Sequence, residues 1–129
     1  MDPENPVINM SISLAYIHHA LKRQAENRQH SILQGITFML RYYESRKEAL
    51  HIEERQEAHF NMARTYHLLG LVHLAVLYYL RVLDEVEGDV TSSTHEDLVI
   101  DAAYNLQTIY AVAGNLELAE SISSKWLVI

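Results

Sequence analysis

A chain of 129 residues, 49% of them apolar, is long enough to bury a core and too apolar to stay disordered. Its formal charge of −7, with ten basic residues scattered in small pairs such as Lys22 with Arg23 and Arg46 with Lys47, argues against broad contact with nucleic-acid phosphates. No stretch approaches the ~18 uninterrupted apolar residues of a membrane-crossing helix, the opening MDPENP has no basic and apolar signal region, and the absence of cysteine removes any disulfide framework or thiolate metal site.

In chain order, Asn5 can cap a helix that has Pro6 at its first position, where the missing donor is no loss. That helix is expected from about Pro6 to Gln24, with Ile8, Ile12, Ala15, Leu21 and either Ile17 or His19 on one face. Asn27 is the expected cap of a second helix, about Arg28 to Ser45, whose apolar side carries Ile32, Gly35, Ile36, Phe38, Met39 and Tyr42. Gly35 costs about 1 kcal/mol against Ala in a helix interior, so a close packing contact is expected there. The stretch ESRKEALHIEE, Glu44 to Glu54, has neither Gly nor Pro and can extend the helix.

Phe60, Met62, Ala63, Tyr66 and Leu69 then recur at spacings of three and four, the stripe of an amphipathic helix that Gly70 ends. Beyond the turn Leu71, Val72, Ala75, Val76, Tyr79, Val82 and Leu83 keep the period, with Ala75 small enough for a close helix crossing. EVEGDVTSST, Glu85 to Thr94, has the composition of a loop. Thr94 with Asp97 resembles a capping box opening a helix that runs to Ala113. Gly114-Asn115 supplies a stop and a new start. The last helix, Asn115 to about Val128, leaves Trp126, Leu127, Val128 and Ile129 as an apolar end suited to a neighbour or to self-association.

The order small residue, Tyr, Gly, small residue, aromatic resembles the tetratricopeptide repeat, a helix pair whose copies stack into a solenoid. A second copy follows when Gly114 is laid on Gly70: Asn105 falls on Asn61, Leu106 on Met62, Tyr110 on Tyr66 and Ala119 on Ala75. This offset of 44 residues exceeds the usual period of about 34, so the surplus belongs to the connection. A degenerate first copy appears when Gly35 is laid on Ala75, matching GITFMLRYY to AVLYYLRVL. LAYIHHAL against MARTYHLL then puts Ala15 on Ala63 and His18 on Tyr66, with about eight extra residues between the helices. The expected fold is all-α: about six helices in three antiparallel pairs, at 6–46, 53–86 and 94–128, forming one tetratricopeptide-like superhelical domain over 1–129. Gly35, Ala63, Tyr66, Gly70, Ala75, Tyr79, Tyr110, Gly114 and Ala119 are its packing and turn residues.

The runs RTYHLLGLVHLAVLYYLRVL and AAYNLQTIYAVAGNLELA, preceded by NPVINMSISLAYIHHALKRQAENRQHSILQGITFMLRYYESR with its link from Arg23 to His30, are similar to the C-terminal end of the tetratricopeptide subunit of RNA polymerase III transcription factor IIIC. This resemblance implies a C-terminal fragment of a larger, nuclear, non-enzymatic chain. It implies partners among the other transcription factor IIIC subunits, with components of transcription factor IIIB as a further possibility, and a role in preinitiation complex assembly on tRNA-type genes. It implies no cofactor. The alternative reading is a stand-alone peptide-binding adaptor or chaperone cofactor.

In such repeats the first helix of each pair lines the groove. The groove candidates here are Asn9, Ile12, Tyr16 and His19, then Phe60, Arg64 and His67, then Tyr104, Thr108 and Ala111, a set suited to a peptide with apolar anchors. Phe60 and Tyr104 suit packing against neighbouring helices equally well. Asn61 and Asn105 are half of a carboxylate clamp, but no Lys accompanies them and Asp101 would repel, so they are expected to bond between helices. Among His59, His67 and His73 no pair has the i, i+4 spacing that would converge on one ion, and there is no HExxH. A metal-dependent enzyme is therefore disfavoured, and no catalytic motif is present. One member each of Tyr42-Tyr43 and Tyr78-Tyr79 is expected in the core.

Overall fold

A computed structural model describes residues 5–21, 28–88 and 96–127. The chain is an all-α arrangement of packed helix pairs: α1 (Pro6–Leu21), α2 (Arg28–Arg46), α3 (Ile52–Leu68), α4 (Val72–Gly88), α5 (Glu96–Val112) and α6 (Leu116–Trp126). Among the described residues there is no strand, and no helix is long and apolar enough to cross a membrane. The proposed caps Asn27 and Thr94, most of the link after Arg23, the end of the first helix at Gln24, the later part of the 85–94 loop, and Val128 with Ile129 lie outside the described residues. The helices form two compact units, Met1–Glu48 and Ala49–Ile129.

In the first unit α1 packs on α2. Asn5 opens α1 as expected, its Oδ1 accepting from the amides of Val7 at 3.0 Å and Ile8 at 3.2 Å. The buried face of α1 is Asn9, Ser13, Ile17 and Ala20. It meets Ser31, Gly35, Met39, Tyr42 and Tyr43 of α2, so both tyrosines of that pair are buried, not one. Gly35 is the point of closest approach. A Cβ there would stand 2.7 Å from Ile17 Cγ1 and 3.1 Å from the Ser13 carbonyl oxygen, and Ser13 Oγ donates to the Gly35 carbonyl. Only a residue without a side chain fits.

This geometry corrects the expected register of α1. Tyr16 stacks on Phe38, with centroids 6.0 Å apart and rings 8° from parallel, and Arg41 lies 5.4 Å over Phe38. In the second unit Tyr66 stacks on Tyr78 at 5.6 Å, and Arg81 lies 4.6 Å over Tyr78. With Gly35 on Ala75, as expected, the repeated stack puts Tyr16, not His18, on Tyr66, and Ser13, not Ala15, on Ala63. Ala15 is exposed while Ser13 is fully buried. From Tyr16 to Gly35 is 19 residues against 9 from Tyr66 to Ala75, so the first pair holds ten extra residues, not about eight.

In the second unit α3 packs on α4, α4 on α5 and α5 on α6, with a smaller contact between α3 and α5. Gly70 and Gly114 have φ of +78° and +83°, which glycine adopts without penalty, and each terminates a helix. Around them the same bonds recur 44 residues apart. Leu71 N donates to Tyr66 O at 2.9 Å and Asn115 N to Tyr110 O at 2.8 Å, while Gly70 N donates to His67 O at 3.1 Å and Gly114 N to Ala111 O at 3.0 Å. Asn115 then caps α6, its Oδ1 accepting from Leu118 N at 3.3 Å. Met62, Ala63, Ala75, Val82 and Leu106 are fully buried, with Ala119 nearly so.

The stop of α2 at Arg46 and the start of α3 at Ile52 fall at the expected pair bounds of 46 and 53, so the run 44–54 does not extend α2 as one helix. Arg55 Nη1 takes the carbonyls of Ala49 at 2.6 Å and Leu50 at 3.1 Å. These groups lie outside the helical hydrogen-bond ladder and need a donor. Conversely, α4 continues through Glu85 to Gly88, where a loop was expected. Glu85 is held in the helix by Arg55 Nε at 3.1 Å and His59 Nε2 at 3.4 Å.

Candidate partner-binding crevice

The second unit carries a crevice built on α3, α4 and α5. Arg64, His67 and Leu68 come from the last two turns of α3, Tyr79 from α4 and Asn105 from α5, together lining a cavity of about 300 Å³. Tyr79 has its ring in the core at 1% exposure, edge-on to Phe60 at 5.9 Å and to His67 at 5.9 Å. Its hydroxyl reaches the crevice. Asn105 Nδ2 donates to that oxygen at 3.3 Å, and His67 Nδ1 lies 3.2 Å from it.

Asn105 donates its amide N–H to the Tyr79 oxygen, and the Tyr79 hydroxyl and the His67 ring nitrogen share the second bond. Burial pushes the Tyr79 phenol above its usual range, against the opposing effects of the Arg64 charge and the Asn105 bond, so it keeps its proton at neutral pH. The expectation that Asn105 bonds between helices is met here.

A second cavity of about 280 Å³ shares His67 and is otherwise formed by Val72, Thr108, Ile109, Val112 and Ala113. Val112 is 84% exposed. Of the groove candidates, Arg64, His67 and Thr108 thus meet around these two cavities. Tyr104 is exposed, as is Ala111, and neither lines them. Phe60 is corrected from groove to core: it is 7% exposed, packed on Tyr79, with the Arg64 guanidinium 6.0 Å above its ring. Asn9 is likewise buried, at 3%. In the first unit Tyr16 and His19 come together with Ile12 and Ala15 around an apolar cavity of about 300 Å³.

Sequence reasoning placed Tyr79 in the core and Asn105 between helices without joining them. A buried tyrosine needs a partner for its hydroxyl, and an amide on the neighbouring helix was the available signal.

Packed helix pairs crossed at small residues, two of them closed by glycine turns, define a helical-repeat protein of the tetratricopeptide class. No family model matches the chain. Three curated relatives do: transcription factor tau subunit sfc4 of Schizosaccharomyces pombe, 44% identical over 99% of this chain; the transcription factor tau 131 kDa subunit of Saccharomyces cerevisiae, 38% identical over 98%; and general transcription factor 3C polypeptide 3 of Homo sapiens, 36% identical over 93%. Over nearly its whole length the chain is similar to one region of these transcription factor IIIC subunits. It spans 14%, 12% and 13% of the lengths of these relatives.

Proposed function

We propose that this chain is a nuclear, non-enzymatic protein-interaction segment of a transcription factor IIIC subunit, from its C-terminal repeats. It holds other subunits of the factor and supports preinitiation complex assembly on tRNA-type genes, with transcription factor IIIB components as further contacts. The observation that carries the reading is the 36–44% identity to transcription factor subunits over nearly the whole chain. The crevice supports it, since apolar walls with a few fixed polar groups suit a protein segment. Tyr16, His19, Arg64, His67, Tyr104 and Thr108 are the proposed contact residues, and the apolar α6 end is a candidate for self-association. Direct contact with nucleic acid is not expected from a chain of net charge −7.

The test is co-purification of tagged chain from a nuclear extract. Other subunits of the factor should be captured by the wild-type chain and several-fold less by Arg64→Glu with helicity unchanged. Loss of capture by the folded wild-type chain would overturn the proposal. Equal capture by the variant would move the contact elsewhere.

A further inference from the structure

We infer that the crevice takes the carboxylate of a Glu or Asp side chain from a partner segment, while a neighbouring aliphatic residue of that segment enters the Val72, Ile109 and Val112 cavity. The inference rests on the proposed interaction role and specifies the chemistry of the partner.

Three observations converge on it. First, Arg64 lines the crevice with its guanidinium over the Phe60 ring, whereas Arg55 is spent on Glu85 and Lys47 on Glu44. An exposed guanidinium over an aromatic face keeps its fork of donors available for a carboxylate. Second, the bonds from Asn105 through Tyr79 to His67 tie the polar groups of the crevice to one another beside Arg64. They also hold these groups in place before a ligand arrives, which lowers the cost of ordering on binding. Third, the apolar cavity shares His67 with the polar one, so two anchors of one short segment fill both.

Charge count selects the carboxylate over other anions. The one Arg lining the crevice balances one negative charge, whereas a phosphate carries about two at neutral pH and draws clusters of Arg. Asp101, which would repel a carboxylate, lines neither cavity, and Arg64 stands in for the missing Lys.

The probe is a phage-displayed library of random 12-residue peptides, panned on the folded 129-residue chain, on Arg64→Glu and on Arg64→Gln. The wild-type chain should select an acidic residue within about four positions of Leu, Ile or Val, the reach of one helical turn. Arg64→Glu should select Lys or Arg at the acidic position, and Arg64→Gln should lose the preference without reversing it. For one selected peptide, Glu→Gln should weaken binding about fivefold, the scale of a partly exposed ion pair. A wild-type consensus without an acidic residue, no consensus at all, or the same acidic consensus on both variants would overturn the inference. Tighter binding of the peptide with phosphoserine in place of Glu would overturn the carboxylate assignment. Capture of factor subunits by the wild-type chain alongside any of these failures would leave the interaction role standing.

Discussion

The α1/α2 and α3/α4 pairs share one device and close it in different ways. Both stack a tyrosine on the aromatic ring of the partner helix and lay an arginine over that ring, Tyr16 with Phe38 and Arg41, Tyr66 with Tyr78 and Arg81. In α1/α2 the crossing is made by Gly35, with backbone oxygen and Ile17 where a methyl would go. In α3/α4 the same place holds the buried methyl of Ala75. The first pair relies on close approach and a hydroxyl, Ser13 to Gly35; the second fills its seam with Met62, Ala63 and Val82. The two pairs thus keep the ring contact while exchanging the residue at the seam.

The largest expected effect tests the seam. Gly35→Val should destabilise the α1/α2 pair by about 2–3 kcal/mol, since the neighbouring atom at 3.1 Å is backbone and cannot rotate away. Hydrogen exchange of the α1 and α2 amides would show it. Unchanged protection would mean that the seam has slack and the contrast with Ala75 is empty.

A smaller effect compares the stacks themselves. Tyr66 is 8% exposed and Tyr16 is 36% exposed. Tyr66→Leu should therefore cost about 1–2 kcal/mol and Tyr16→Leu under about 1 kcal/mol, each read from urea unfolding. Equal losses would assign the stabilisation to the ring contact alone, independent of burial.

The least effect is one of pH. With Tyr16 on Tyr66, Asn9 occupies the place of His59, and both are buried. Burial holds the His59 imidazole below its ordinary value of 6.5, with Arg81 and Arg55 lowering it further and Glu85 opposing. The folded chain thus binds that proton less tightly than the unfolded one. Its stabilising contribution is complete above about 6.5 and declines as pH falls below that value. His59→Asn, which copies the first pair, should flatten this decline in a series of thermal melts. A slope that survives the exchange would assign it to other groups.

How much of this was legible in the sequence depends on which face of a helix is apolar. Gly70, Gly114 and the small residues at 35, 75 and 119 could be placed because turn chemistry and helix crossings leave few choices of residue. The register of α1 misled because its buried face includes Asn9 and Ser13, while Ile8, Ile12 and Ala15 make the stronger apolar pattern. Phe60 read equally as groove or core, since periodicity reports a face and not the layer that covers it. Glu85 looked like loop because its partners, Arg55 and His59, lie a full helix earlier in the chain. The crevice was half visible: Arg64, His67 and Thr108 are on the expected helix faces, whereas the hydroxyl of Tyr79 at its floor depends on three helices meeting.

The two glycine turns reach beyond geometry. Each joins its helices through three residues, so these pairings of the second unit come from partners close in sequence. Loop closure of that kind costs little entropy, and chains dominated by it assemble fast. The α3/α4 hairpin can therefore form as soon as it leaves the ribosome, while α5 and α6 are still inside the exit tunnel.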